Sequence, residues 1–141
     1  MDKSKTYWKD TMLVGVPQID SQHRKLVEAI DRLMNACMQG KGRSVLDETL
    51  GYVVEYTKEH FRDEEKLQAQ YSYPGMGEHK QVHSRFIASI TAIEKELAET
   101  GPNIALIGQL HKALVDWLIN HITTEDKKVG EHIRRTVHVV A

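Results

Sequence analysis

Apolar residues recur in alternating steps of three and four along most of this chain, and this spacing constrains the fold more than any other feature. Four segments carry the pattern, and turn-forming residues such as Gly40, Pro74 and Gly101 separate them. Steps of three and four place side chains on one face of an α-helix. Four amphipathic helices with short connections predict an all-α protein, an up-down-up-down antiparallel four-helix bundle.

The predicted organisation is a single domain over residues 1–141. Residues 1 to about 19 form an N-terminal arm that packs on the domain, and the bundle occupies residues from about 20 to 128. The C-terminal segment, residues 129–141, has a small apolar patch at Val137, Val139 and Val140. The pattern leaves open whether this segment is a short cap on the bundle or a frayed tail.

Local signals predict where three of the helices begin. The first helix is expected to begin near Asp20 and Ser21, which are both acceptable N-caps. Ser44 and Asp47 have the spacing of a variant capping box for the second helix. Asn103 is expected to cap the fourth helix.

Charge and composition exclude several classes of function. The chain has 19 Lys+Arg against 20 Asp+Glu, and it lacks the basic stripe or polybasic patch that nucleic acids or membranes require. It has no signal-peptide pattern and no run near the roughly 20 apolar residues that span a bilayer. The single cysteine, Cys37, fits a reducing compartment and a core position. We therefore expect a cytoplasmic protein, monomeric and without an obligatory protein partner.

Each predicted helix has an apolar face directed at the core, which we call its seam. Side chains of the types that bind metals interrupt the seams of all four predicted helices. The six residues are His23, His60, Glu64, His79, His83 and His121. Each pair alone is weak evidence, since eight histidines in 141 residues give a chance His-x-x-x-His about 0.4 times. A buried carboxylate without a partner costs several kcal/mol and an unpartnered imidazole about 1–3 kcal/mol. Six such groups would exceed a typical net stability of about 5–15 kcal/mol. A metal centre satisfies all six together.

The carboxylate of the fourth helix is not decided by spacing. Asp126 lies five residues after His121, about 140° around an ideal helix, whereas Glu125 would lie closer to the same face. A helix that widens locally or ends there would bring Asp126 in. The other histidines are given no site role: His111 is predicted at the surface or edge, and His132 and His138 lie in the tail.

With Asp126 included, the motif reads His23, His60-x-x-x-Glu64, His79-x-x-x-His83 and His121-x-x-x-x-Asp126. This order and spacing resemble the hemerythrin family, in particular its short bacterial single-domain form. Supporting features are Gly15-Val-x-x-Ile-Asp20-x-x-His23, Tyr73-Pro74 and Trp117-Leu118. The resemblance extends from about Trp8 to Lys128 and fills all seven ligand positions of the family.

The resemblance implies a non-haem di-iron centre, two iron ions (Fe2+/Fe3+) with an oxo or hydroxo bridge, that binds O2 reversibly. It assigns His79, His83 and His121 to one iron, and His23 and His60 to the other. It selects Asp126 over Glu125 and makes Glu64 and Asp126 the bridging carboxylates. Counting ligands against two six-coordinate irons leaves one position, beside His23 and His60, for O2. The apolar residues next to the ligands are expected to line the O2 pocket: Leu26, Phe61, Trp117, Leu118 and Ile122.

The expected function is oxygen storage, delivery or scavenging, without enzymatic turnover. The alternative is a domain that senses O2, NO or redox state with the same site and belongs to a longer receptor. A ferritin-like oxidase is disfavoured because none of the twelve glutamates has a histidine three residues later. A zinc hydrolase at His79, His83 and His121 would leave His23 and His60 buried with nothing to bind.

Overall fold

The structure, a computed structural model, describes the backbone of residues 6–140 and the side chains of residues 6–137. Its helices are α1 (Pro17–Met38), α2 (Arg43–Gln70), α3 (Met76–Thr100), α4 (Ile104–His111) and α5 (Ile119–Val140). A π-helical segment, Lys112–Leu118, joins α4 to α5, so that these three elements form one long fourth helix. The described residues contain no strand.

The seams of the first three helices form the core, as the spacing predicts. Along α2, for example, Leu46, Leu50, Val53 and Thr57 are all at most 2% exposed. Helix α2 packs between α1 and α3, and α3 also contacts α4 and the π-helical segment. The predicted four-helix bundle is confirmed, with Cys37 as a buried core residue.

The N-cap predicted for the fourth helix is confirmed, whereas those predicted for the first and second helices are wrong. Asn103 accepts a hydrogen bond from the Leu106 amide, as expected. The capping box is wrong: α2 begins at Arg43 after Gly42, and no side chain caps it. Helix α1 begins earlier than expected, at Pro17, because proline suits the first helical turn. Asp20 lies inside that turn and accepts hydrogen bonds from the Val14 and Gly15 amides instead.

The fourth helix departs most from the predicted seam. Ile107 is only half-buried and Trp117 is 37% exposed, although both were expected to face the core. One row of buried positions, beside which His121 is also buried, advances in unbroken steps of four: Leu106, Leu110, Leu114, Leu118, Ile122 and Asp126. A straight α-helix would rotate such a row off the core face, and a π-helical stretch counteracts the rotation because it has more residues per turn. The fourth helix therefore does widen locally, but before His121 and not between His121 and Asp126.

The residues after 128 continue the fourth helix. Val129 and Ile133 are buried against Val14 and Ile19, so this stretch is neither a separate cap nor a frayed tail through residue 137. The side chains of His138, Val139 and Val140 lie outside the described residues.

The N-terminal arm packs on the domain as predicted, through buried Met12 and Val14. It lies so close to α5 that a Cβ atom at Gly130 would collide with the Val14 carbonyl oxygen. Arg134 fixes the same oxygen with a 2.7 Å hydrogen bond. Across the described part of the chain, we find no helix with the length and hydropathy needed to cross a membrane.

Candidate metal centre

Two overlapping groups of metal-binding side chains lie in the bundle interior. The first group comprises Glu64, His79, His83, His121 and Asp126, and the second comprises His23, His60, Glu64 and Asp126. Within each group the potential ligand atoms lie within 4.8 Å of one another. All seven residues are at most 6% exposed. Three histidines belong to one group and two to the other, and the two carboxylates belong to both.

The two oxygens of Asp126 face different groups. Its Oδ1 lies 3.1 Å from His79 Nε2 and 3.2 Å from His121 Nε2, while Oδ2 lies 3.0 Å from His23 Nε2. A metal–nitrogen bond is about 2.1 Å, so ligand atoms at right angles around one ion are about 3.0 Å apart. The spacing around Asp126 is therefore that of neighbouring ligands on two ions joined by one carboxylate.

Glu64 occupies the corresponding place on α2. Its Oε1 lies 3.1 Å from His79 Nε2 and 3.3 Å from His83 Nε2, on the three-histidine side. Its Oε2 lies 3.8 Å from His60 Nε2 and 3.9 Å from His23 Nε2. The contacts of Glu64 are therefore closer on the three-histidine side than on the two-histidine side.

Eight buried side-chain atoms in this region make no hydrogen bond of suitable geometry with any residue that the structure describes, although some of them lie close to one another. One of them is Gln68 Oε1. The other seven belong to five of the potential ligands: His23 Nδ1 and Nε2, His60 Nε2, His83 Nε2, Glu64 Oε2, and both oxygens of Asp126. Buried polar atoms are almost always satisfied in folded proteins. Cations bound between the two groups would satisfy the inward-facing atoms, so the residues present fit a pair of metal ions.

Outer partners orient two of the imidazole rings. His60 Nδ1–H donates to Gln22 Oε1 over 2.8 Å, and Gln22 in turn donates to Asp63 over 2.8 Å. His83 Nδ1–H donates to Glu65 Oε2 over 3.0 Å. Each bond places the proton on the outer nitrogen and turns Nε2 towards the centre, which is the arrangement of metal-binding histidines.

The pKa values in the site differ sharply between neighbours. Burial, with the nearby His23, lowers the pKa of His60 to about 4, so that its ring is neutral at pH 7. Burial also acts to lower the pKa of His79, but contacts with Asp126 and Glu64 outweigh it and raise that pKa to about 10. Burial favours the neutral form of Asp126, yet contacts with His121, His23 and His79 hold its pKa well below the usual value. Protons on the histidines thus offset carboxylate charge, which bound cations can do instead.

Four of the five predicted pocket residues are buried in the core of the bundle. Leu26, Phe61, Leu118 and Ile122 are at most 4% exposed, and the Phe61 ring stacks on the His83 ring at 3.6 Å. Trp117 differs because its ring covers His121 from the outside, with ring centres 5.0 Å apart and planes 9° apart. His111 is exposed, as expected.

Sequence patterns missed the residues that support the ligands. Gln22 and Glu65 lie 38 and 18 residues from their partners, so their roles depend on how the helices meet. Gln68 is fully buried and approaches Glu64 from one turn away, whereas Leu67, the expected seam residue, is half-buried. The four-residue step from Glu64 was the available signal for Gln68. His132 also has a specific contact, at 2.7 Å from the Tyr71 carbonyl oxygen.

Comparison with known proteins identifies relatives over most of the chain. The sequence model of the Hemerythrin family, described as Hemerythrin HHE cation binding domain, matches residues 14–133. Bacteriohemerythrin of Stenotrophomonas maltophilia is 31% identical over 127 residues, which cover 90% of this chain and 80% of that protein. Myohemerythrin of Riftia pachyptila is 30% identical over 121 residues, which cover 86% and 88%.

Solved structures share the fold. A crystal structure of a hemerythrin point mutant superposes with a TM-score of 0.79 at 21% identity, covering 93% of this chain and 98% of the other. At that identity the likeness supports the four-helix bundle and not a particular ligand.

Proposed function

Because the chain belongs to the hemerythrin family, we propose that it holds two iron ions and binds O2 reversibly. The observation that carries this proposal is the pair of buried ligand groups that share Glu64 and Asp126. Two carboxylates common to two groups can bridge two ions, and a nitrogen-rich set suits iron. When bound, the two irons supply the electrons that hold O2 reversibly.

Each ligand has a separate role in this proposal. His79, His83 and His121 hold one iron, while His23 and His60 hold the other. Gln22 and Glu65 keep the Nε2 atoms of His60 and His83 free for metal by accepting the proton on the opposite nitrogen.

The proposed O2 position lies beside His23 and His60, because this group has one histidine fewer than the other. Leu26, Leu118 and Ile122 lie within one helical turn of His23 or His121 along the chain, are at most 1% exposed and have apolar side chains without a hydrogen-bonding group. In this proposal they exclude water and protons from the O2 position. Dry surroundings favour release of intact O2 over its irreversible reduction, because proton delivery is needed to take the reduction further.

The proposed role is storage, delivery or scavenging of oxygen, with O2 as ligand and no catalytic turnover. A sensor of O2, NO or redox state with the same site is not favoured by the bacteriohemerythrin and myohemerythrin relatives. A monomeric state and a cytoplasmic location remain predictions of the sequence.

The visible absorption spectrum of the reduced, iron-loaded protein tests the proposal. We expect a charge-transfer band that appears in air and disappears when oxygen is removed, through several cycles. Iron that becomes ferric in the first exposure and remains so would contradict reversible binding. The zinc-loaded protein is the control, because it has the same ligands without available electrons.

A further inference from the structure

One aromatic ring connects the metal centre to the protein surface. The Trp117 ring stacks on His121 on one side, and on Phe86 with ring centres 4.8 Å apart and planes 11° apart. Trp117 is 37% exposed, whereas Phe86 and the other ring stacked on a ligand, Phe61, are buried. A molecule that touches Trp117 is therefore in van der Waals contact with a ring that itself touches a proposed ligand.

The exposed part of Trp117 lies in a groove between α3 and the fourth helix, with a volume of about 520 Å3. Small-molecule sites typically occupy about 300–1,000 Å3. Five of its nine lining residues are apolar, Arg85 and Lys112 are its charged residues, and the other two are the polar Ser89 and Gln109; the apolar five are Val82, Phe86, Ile93, Ala113 and Trp117. No carboxylate lines it, and neither cation forms an ion pair with any side chain that the structure describes.

We propose that this groove binds a planar aromatic anion of the reduced-flavin class, and that Trp117 conducts its electrons to His121. The ring system would lie along the Trp117 and Phe86 side of the groove, and Arg85 and Lys112 would contact the anionic group. The inference rests on the proposed di-iron function, because the electrons return oxidised iron to the ferrous state. It assigns to the chain a reduction site separate from the O2 pocket.

A second groove near the centre has the wrong charge for this donor. It is lined by Tyr73, His79 and His121, and its volume is only about 180 Å3. Its wall also contains Glu78, Glu125 and Lys128, and because Lys128 pairs with Glu125, the carboxylate of Glu78 is left without that cation. Tyr73 meets His79 edge-on, with ring centres 6.4 Å apart. Like charges repel an anionic donor there, so the Trp117 groove is the better match.

The proposed electron transfer is balanced. An anionic flavin hydroquinone loses two electrons and one proton and becomes oxidised flavin. Each electron reduces one Fe(III) to Fe(II), so one flavin restores both irons, and the proton leaves the flavin nitrogen for solvent. No covalent bond to the protein forms or breaks.

Two measurements on the full-length, ferric iron-loaded protein test the inference. Oxidised flavin mononucleotide is titrated by its fluorescence to obtain a dissociation constant. Reduced flavin mononucleotide is then mixed anaerobically at increasing concentrations, and iron reduction is followed by stopped-flow absorbance. The variants are Arg85→Gln, Lys112→Gln and Trp117→Leu, with Trp8→Leu and Lys25→Gln as controls, since Trp8 and Lys25 lie outside the groove. Circular dichroism and iron content confirm that every variant is folded and loaded.

We expect the reduction rate to saturate with flavin concentration. Each charge variant should weaken flavin binding about two- to fivefold and leave the limiting rate unchanged. Trp117→Leu should weaken binding at least about fivefold, as loss of a stacking partner does, and also lower the limiting rate. The two controls should match the unmodified protein in both measurements.

Flavin binding that is insensitive to Arg85→Gln and Lys112→Gln, or a Trp117→Leu limiting rate equal to that of Trp8→Leu, would overturn the inference. If either of these results were found in a protein that binds O2 reversibly, the flavin inference would be overturned and the proposed function would stand. Groove-dependent reduction in a protein that never releases O2 would instead refute the proposed function and support the electron route.

Discussion

Replacing Asp126 with asparagine tests the proposed bridge, and the neighbouring Glu125 supplies a matched control. Asp126 is fully buried, and its two oxygens approach three histidine nitrogens at 3.0–3.2 Å. Glu125 has a side chain 48% exposed, and among the described residues it pairs only with Lys128, at 3.4 Å. Asparagine keeps the shape of Asp126 but removes its negative charge and one of its two ligand oxygens.

Removal of one partner from a buried charged pair costs about 3–5 kcal/mol. At 1.4 kcal/mol per factor of ten, iron affinity should fall by roughly 100- to several-thousand-fold. Asp126→Asn should therefore lose iron during desalting or chelator competition that leaves two ions on the unmodified chain. Glu125→Gln removes a surface ion pair worth at most about 1 kcal/mol, so it should retain both ions.

The assay is anaerobic loading with Fe2+, gel filtration, and elemental analysis for iron per chain, with circular dichroism as a check on folding. The bridging assignment would be refuted if Asp126→Asn kept two ions at every chelator concentration at which the unmodified protein and Glu125→Gln keep theirs. Equal losses in Glu125→Gln would show that charge near the site, and not ligation, holds the metal.

Three further predictions concern the pocket, an outer partner and pH. Leu118→Ala should let water reach the centre and accelerate autoxidation at intact iron loading, and it should lower the free energy of unfolding by about 2–5 kcal/mol. The rate of oxidation in air, followed by absorbance, checks this, and an unchanged rate would count against a dry pocket. Gln22→Ala should lower the affinity for the ion at His60 by about 10–100-fold. Chelator competition measures this affinity, and an unchanged value would be the contrary result. Because the pKa of His79 is raised to about 10, metal binding at pH 7 should displace about one proton from that ring. A pH indicator in weak buffer would detect it, and the absence of proton release would contradict a ligand role for His79.

The pH dependence of folding without metal follows from the same residue. The folded-state pKa of His79 lies above its ordinary value of 6.5, so its contribution to stability is complete below about pH 6.5 and is lost as the pH rises towards 10.

The seam positions made the buried cluster of candidate ligands predictable from sequence. Histidine and glutamate at positions otherwise filled by leucine or isoleucine must find partners in the interior, and helix periodicity alone puts His60 and Glu64, or His79 and His83, on one face. The core of the first three helices followed from the same rule. Helix starts were less predictable, since Ser44 had the right spacing for a cap and yet the chain turns at Gly42.

The features that sequence did not reveal depend on contacts between helices. The π-helical segment Lys112–Leu118 has no composition that marks it, and it changes which residues of the fourth helix face the core. The structure places Asp126, and not Glu125, among the clustered side chains, a choice that spacing alone could not make. The contacts of Gln22 and Glu65 with the ligands likewise arise only when α1, α2 and α3 are packed together.

The stoichiometry of O2 uptake tests the central proposal most directly. Reduced protein of known iron content is titrated with dissolved O2 in a sealed cell fitted with an oxygen electrode, and then purged with argon. A reversible carrier with one di-iron centre should take up one O2 for every two irons and return it intact on purging. Consumption of O2 without release, or uptake that does not scale with pairs of irons, would contradict reversible binding at a di-iron centre.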